Sequence, residues 1–458
     1  MKIIICGAGQ VGFNIARHLA TDNNDVTVIE RSTALIDKIR SSLDVQVIQG
    51  HASHPDMLEQ AGAADADMII AVTQADEVNM VACQIAHSLF DVPTKVARIR
   101  AQSYLDPVWQ DLFSRDHMPI DVIISPEIEV ARAIIRRLEV PGAFDMIPFG
   151  GDRIRVVGVK LTEDCPVVDT PLRQLTDLFP DLNAVIVGIL RDEKLIVPTG
   201  DDQLLVGDDI YVSVDTLHME RALQVFGHEE QEARRVLILG AGNVGRFLAQ
   251  QLQLTHPNVM VKIIEYNADK AEFAAEKLSD AVVLKGDAMD IDLLHEANIR
   301  ETEAVVAVTN DDEVNILAAL LAKREGATKA ITLINNQTFG PLANSLGIDV
   351  TVDPRETTVS SILQHMRRGR IRGLHAVAGG RAEIIEGEAL ETSVLVGKPL
   401  RDIRLPTGII VGGVLRQDTV IVPKGDTIIE RGDRVIMFAI ASMVKKVEKF
   451  FSVRLEFF

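Results

Sequence analysis

The sequence predicts an α/β protein: two doubly wound parallel-sheet domains, each followed by a small β-rich α+β domain. Three observations carry that expectation. A glycine-rich turn occurs twice, apolar strand-like runs alternate with helix-like periods, and two segments of apolar alternation broken by Gly-Asp turns match each other closely. The chain has 458 residues, room for several domains of roughly 100–200 residues each. Hydrophobic residues make up 47% and aromatics only 4%, so the cores must be aliphatic, as suits parallel strands buried on both faces.

The chain is a duplication. IIICGAGQVG at 3–12 matches VLILGAGNVG at 236–245, so Gly7, Gly9 and Gly12 pair with Gly240, Gly242 and Gly245. VTVIE at 26–30 pairs with VKIIE at 261–265, which sets Glu30 opposite Glu265. VIQGHASHPDML at 47–58 parallels VLKGDAMDIDLL at 283–294, and AVTQADEVNMVA at 71–82 parallels AVTNDDEVNILA at 307–318. IDVIISPE at 120–127 resembles IDVTVDPR at 348–355. The ends repeat as well: LIVPTGDDQLLVGDDIYV at 195–212 matches VIVPKGDTIIERGDRVIM at 420–437. Both of these alternate and carry Gly-Asp turn signals, so they read as β-rich modules. The domains are accordingly expected at 1–140, 141–229, 230–370 and 371–458.

Within each large domain the elements follow in order. Residues 2–6 form a strand that runs into the glycine turn, and a helix follows with Val11, Ile15 and Leu19 on one face. A second strand ends at Glu30, a helix covers about 32–43, and VQVIQ forms a third strand before Gly50. MIIAVT is the fourth strand, and a helix begins near Asp76, read as its N-cap. KVARIR closes the series. Strand–helix alternation of this kind predicts a Rossmann-like sheet.

The glycine spacing gives that sheet a chemistry. Gly7 permits the tight turn, Gly9 lets backbone approach a pyrophosphate, and Gly12 lets helix pack closely on strand. The N–H groups at the helix start, with the helix dipole, then hold an anion. The alternative is a packing turn without a ligand. Glu30 and Glu265, ending the second strand of each copy, can accept hydrogen bonds from ribose hydroxyls and disfavour a 2′-phosphate, or stand as solvated strand-end charges. Thr73 and its counterpart Thr309 lie at the carboxyl end of the fourth strand, where such sheets bind ligands. Asp76 and Asn79 are better read as helix caps. Arg98 and Arg100 alternate about Ile99, share a face, and can grip phosphates or form a surface ion pair. The second-copy segment KAITLIN has neither arginine.

Other classes are disfavoured. A net charge of −19 argues against nucleic acid and against broad adhesion to anionic lipid. Cys6, Cys83 and Cys165 are scattered, with no disulfide framework, so a cytoplasmic setting is expected. No apolar run approaches a membrane span of roughly 18 residues. There is no Walker A motif and no recognisable catalytic cluster or metal motif, so the chain is expected not to be an enzyme. A basic run, MRRGRIRG at 366–373, reads as a solvated linker. An NAD-dependent oxidoreductase is the alternative, and a scaffold with vestigial sites a third. Duplicating a cofactor domain suits a sensor better than hydride transfer.

GAGQVG, VIQGHASHPDML, AVTQADEVNMVACQ and ARIR, with GAGNVG and AVTNDDEVNILA in the second copy, make the chain resemble the regulatory subunits of bacterial Trk potassium uptake systems. The resemblance spans essentially the whole chain. It implies two RCK (KTN) Rossmann domains alternating with two TrkA-C domains. It further implies a cytoplasmic protein, peripheral on the inner face of the cell membrane, in a homo-oligomeric, tetrameric gating ring. The implied partner is a Trk-family potassium-conducting membrane subunit, and the implied ligands are NAD(H) and ATP or ADP. The family pattern places a first site on Gly7, Ala8, Gly9, Gln10, Val11, Glu30, Thr73, Gln74 and Arg98, with Arg100 a candidate phosphate reader. It places a second on Gly240, Ala241, Gly242, Asn243, Val244 and Glu265.

Overall fold

A computed structural model describes the chain apart from residues 22–23, 115, 141, 180–181, 193, 229–231, 337, 367–370 and 452–458. Residues 141, 229, 230 and 370, at which the expected domain boundaries fall, and residues 367–370 of the basic run at 366–373 lie outside the described residues. Two compact units form: Met1–Ile134 with Arg234–His365, and Ile135–Ala233 with Met366–Phe458. Like domains of the two copies are therefore grouped with like.

In the first unit each copy builds a six-stranded parallel sheet. The first copy runs β1 (Lys2–Cys6), α1 (Gln10–Thr21), β2 (Asp25–Glu30), α2 (Thr33–Ser42), β3 (Gln46–Gln49), α3 (Pro55–Gln60), β4 (Met68–Ala71), α4 (Asp76–Phe90), β5 (Thr94–Arg98), β6 (Val122–Ile124) and α5 (Pro126–Glu139). Its strand order is β3-β2-β1-β4-β5-β6. The order reverses beside β1, and the crevice beyond the ends of β1 and β4 is where such sheets take ligands. Ile3, Ile4 and Ile5 are buried because both faces of β1 are covered, by helices that include α1 and its inward Ile15 and Leu19. In the second copy Arg235–Leu239, Met260–Glu265, Ala281–Lys285, Ala304–Ala307, Lys329–Leu333 and Val350–Val352 repeat the same order.

Three sequence expectations need correction. KVARIR does not close the sheet, because the three-residue β6 pairs in parallel with β5. So short a strand carries no period to recognise. β4 ends at Ala71, and β5 ends at Arg98, so Arg100 lies beyond the strand it was assigned to. Asp76 is the first residue of α4 and Ala75 holds the cap position, where no side-chain cap forms.

The second unit contains two five-stranded antiparallel sheets. Their cores merge: Phe149, Val187 and Tyr211 of the first copy pack with Ile384, Leu415 and Phe438 of the second. The Phe438 ring fills the space left at Gly188, where a Cβ would stand 2.6 Å from it. The Ala378 amide donates to the Tyr211 hydroxyl at 3.0 Å. The Gly-Asp turns also acquire a purpose. Buried Asp208 takes a two-pronged contact from Arg191 at 2.8 and 2.7 Å, and Asp433 takes the same from Arg416 at 3.0 and 2.8 Å.

Candidate functional site

The site grows from the turn after β1. Gly7 adopts φ +100° and Gly240 φ +108°, a left-handed conformation that glycine enters without strain. A Cβ on Gly12 would stand 1.9 Å from the Gly7 carbonyl oxygen, and one on Gly245 would stand 2.0 Å from that of Gly240. Gly9 and Gly242 differ: a Cβ there meets nothing within 4 Å. The outer glycines are held by the protein's own packing. The middle one faces open space at the start of a helix, where a phosphate would be cradled by N–H groups and the dipole.

Glu30 is built into that loop. Its Oε2 accepts from the Ala8 amide at 2.6 Å, and its Oε1 accepts from the Arg31 and Ser32 amides at 2.8 Å each. Glu265 repeats this, with the Ala241 amide at 2.6 Å and the Asn267 amide at 2.8 Å. A carboxylate offers about four lone-pair positions, so each retains capacity for a hydroxyl donor while bracing the glycine turn.

Thr73 is oriented inward. Its hydroxyl donates to Asn79 Oδ1 at 2.7 Å, and its amide donates to the same oxygen at 2.8 Å. Asn79 Nδ2 donates in turn to the Thr73 and Arg98 carbonyls at 3.2 and 2.9 Å. Fully buried Asn79 is thus no helix cap; it ties the end of β4 to the end of β5. Asn315 makes the equivalent bonds to Thr309 and the Leu333 carbonyl. Asp76 likewise caps nothing, since its Oδ2 accepts from the Arg100 and Ala101 amides at 2.9 and 2.8 Å. Asp312 binds the Asn335 and Asn336 amides in the same way. These paired bonds set Arg98 opposite Leu333 and Arg100 opposite Asn335, so the second copy does lack both arginines. Gln74 and Gln10 are exposed, and Val11 is half-buried.

The two copies meet around one cavity of about 760 Å³. Gln10, Val11, Arg98, Arg100 and Glu127 line it from the first copy; the Gly242–Val244 turn, Arg246, Lys270 and Arg355 line it from the second. Arg98 donates through Nη2 to the Thr73 carbonyl at 2.6 Å, while its buried Nε has no hydrogen-bond partner. Burial first, then neighbouring Arg100, pull its pKa below the ordinary guanidinium value. Arg100 pairs with Glu127 at 2.8 Å, and Glu127 Oε2 and Asp76 Oδ1 are also buried without partners. Arg246 is anchored on the turn itself, to Asn243 Oδ1 at 2.8 Å. The structure therefore brings Gln10, Val11, Arg98 and Arg100 around one cavity with Gly242, Asn243 and Val244, while Glu30, Glu265, Thr73 and Thr309 do not line it. Glu127, Arg246, Lys270 and Arg355 went unnoticed in the sequence reading. Among the described residues no cluster of His, Cys, Asp and Glu is arranged to hold a metal. Among the described residues, the cavity wall contains no His, Cys or Tyr.

Fold and site together define a class: duplicated dinucleotide-binding-fold domains, each with an appended β-rich domain, and no helix among the described residues long and apolar enough to cross a membrane. Comparison with known proteins places the chain within it. The TrkA-N domain profile matches residues 3–126 and 236–354, and the TrkA-C domain profile matches 156–227 and 385–452. Over the full length of both chains the protein is 52% identical to the Trk system potassium uptake protein TrkA of Azorhizobium caulinodans. It is 41% identical to the TrkA of Halomonas elongata, again over all of both chains. The chain belongs to the TrkA family of Trk system potassium uptake proteins. Among solved structures, the GsuK RCK domain shares the fold, with a TM-score of 0.59 at 18% identity over 99% of this chain and 95% of that one. The GsuK channel bound to NAD gives a TM-score of 0.60 at 17% identity, over 99% of this chain and 79% of that one.

Proposed function

We propose that this protein is a nucleotide-responsive regulatory subunit that gates a Trk-family potassium-conducting membrane protein. It binds adenine nucleotides, NAD(H) and ATP or ADP, at Gly7–Val11, Glu30 and Arg98 in the first copy and at Gly240–Val244 and Glu265 in the second. It works as a homo-oligomeric ring on the cytoplasmic face of the membrane and performs no chemistry of its own. The domains 1–140 and 230–370 sense the ligand, and 141–229 and 371–458 are the appended modules.

One observation carries this reading: the middle glycine of each turn faces open space, and both turns lead to a single cavity lined from both copies. A ligand that touches both walls favours one arrangement of the copies over another. Switching requires only that it bind those arrangements with affinities differing by about 1–3 kcal/mol. NAD bound to the GsuK channel is compatible with such a site on this fold.

The test is potassium uptake by cells lacking the protein, restored with wild type or with Gly9→Asp/Gly242→Asp, together with titration of each purified protein with NADH and ADP. Regulated uptake and binding by wild type, both absent from the double variant, are expected. Wild-type protein that takes up neither ligand at millimolar concentration refutes the proposal. Glu30→Ala is a poorer probe, because it also removes three hydrogen bonds that hold the turn.

A further inference from the structure

The helix after the last strand starts with Pro126 in the first copy and Pro354 in the second, and the next residue is Glu127 in one and Arg355 in the other. Both side chains line the shared cavity. Their surroundings are opposite. Glu127 sits at the positive end of a helix dipole, the favourable place for an anion, and pairs with Arg100 at 2.8 Å. Arg355 is a cation at that same positive end, which is unfavourable. Its Nε is buried without a hydrogen-bond partner, and its guanidinium forms no ion pair among the described residues. The acidic groups at that helix start are Asp353, which spends its Oδ1 on the Arg355 amide at 2.8 Å, and Glu356 of the first turn, and neither forms an ion pair with the Arg355 guanidinium among the described residues.

The other charges on that wall do not supply the missing anion. Asp312 is engaged by the Asn335 and Asn336 amides. Asp311 caps its helix through the Val314 amide at 3.0 Å, and Glu313 is exposed. Arg246 and Lys270 add two further cations beside the Gly242 turn. The first copy carries Phe13 at the position of Arg246.

We propose that Arg355 is the phosphate-reading residue of the second copy, working with Arg246 and Lys270, so that this copy is an intact nucleotide site whose positive charge has moved from the strand end to the following helix. The missing counterparts of Arg98 and Arg100 therefore do not make the site vestigial. The proposal rests on the nucleotide-binding reading and specifies which residue of the second copy recognises the ligand's phosphates. In the first copy, Glu127 neutralises Arg100 and leaves Arg98 as the cation available to a phosphate.

The experiment uses the full chain carrying Gly9→Asp, which isolates the second copy, and titrates it with ADP and with adenosine by calorimetry. Adding Arg355→Gln should weaken ADP about tenfold or more, the effect of one charge-assisted hydrogen bond, and leave adenosine unchanged. Arg355→Lys should recover part of the loss. ADP affinity unchanged by Arg355→Gln overturns the assignment, as does Gly9→Asp protein that binds no ADP while wild type does. If wild type itself binds no ADP or NADH, the functional reading fails and this inference with it. Melting temperatures of all variants, and the lysine variant in particular, separate loss of recognition from loss of fold.

Discussion

Gly9 and Gly12 stand three residues apart in one turn, yet substituting them should separate ligand approach from folding. An alanine Cβ at Gly12 would lie 1.9 Å from the Gly7 carbonyl oxygen and 3.0 Å from its carbonyl carbon. Ordinary van der Waals contact begins near 3.4 Å, so α1 would have to recede from the turn by more than an ångström. Overpacking of this kind costs about 1–3 kcal/mol, and each kcal/mol lowers the melting temperature of a domain this large by roughly 2–4 °C. A Cβ at Gly9 meets nothing within 4 Å, so Gly9→Asp should alter stability by no more than about 0.5 kcal/mol. It nevertheless sets a carboxylate where a phosphate would lie, at the positive end of α1. First-copy affinity for ADP or NADH should fall by at least about tenfold. Thermal melts and calorimetric titrations of both variants make the comparison. If Gly9→Asp melts as low as Gly12→Ala, or binds as wild type does, the division of labour among the glycines is wrong.

Further outcomes are expected. Asn79→Ala removes a buried side chain holding four hydrogen bonds between Thr73 and Arg98; it should destabilise the protein by about 3 kcal/mol, several unmet polar groups at about 1–3 kcal/mol each being partly relieved by water, as read from denaturant midpoints. His375 is half-buried, its ring edge-on to Phe149, and desolvation first, then Arg136, push its pKa from 6.5 down to about 3. The unfolded chain therefore takes up this proton first, so the contribution is whole above pH 6.5 and is lost as pH falls from there toward 3. His375→Gln should flatten that limb of the stability–pH curve, and equal slopes for variant and wild type would exclude the role. Burial raises all three thiols, Cys6 to about 12 and Cys83 and Cys165 also upward. None should react rapidly with a disulfide reagent before unfolding, and a fast-reacting thiol in native protein would contradict the buried placement.

The doubly wound parallel sheet and the glycine turn were legible because both depend on local pattern. Apolar strands such as IIIC, and three glycines at fixed spacing, fix β1, the turn and α1 without reference to distant residues. The roles of Thr73, Asp76 and Asn79 were not, because each is decided by the neighbouring strand end. Asn79 resembles a cap in one dimension and is a cross-brace in three. Arg98 and Arg100 were expected side by side at the carboxyl edge of the sheet, and both line the cavity, but β5 stops too early for them to share a strand. Arg355 is different: its signal lay in the sequence. IDVIISPE and IDVTVDPR align, and the final pair reverses charge. Only the fold showed that both members of the reversed pair line one cavity.

The merged cores of the β-rich sheets, with Phe438 seated against Gly188 and Tyr211 joined to Ala378, hold as one folded body what two separate identical chains would have to find by diffusion. Continuous synthesis also frees the pair from symmetry. Two copies of a single polypeptide must present the same residue on both sides of their twofold axis, whereas a tandem gene product is free to write glutamate on one side and arginine on the other. Divergence of the two sides of the cavity is thereby heritable.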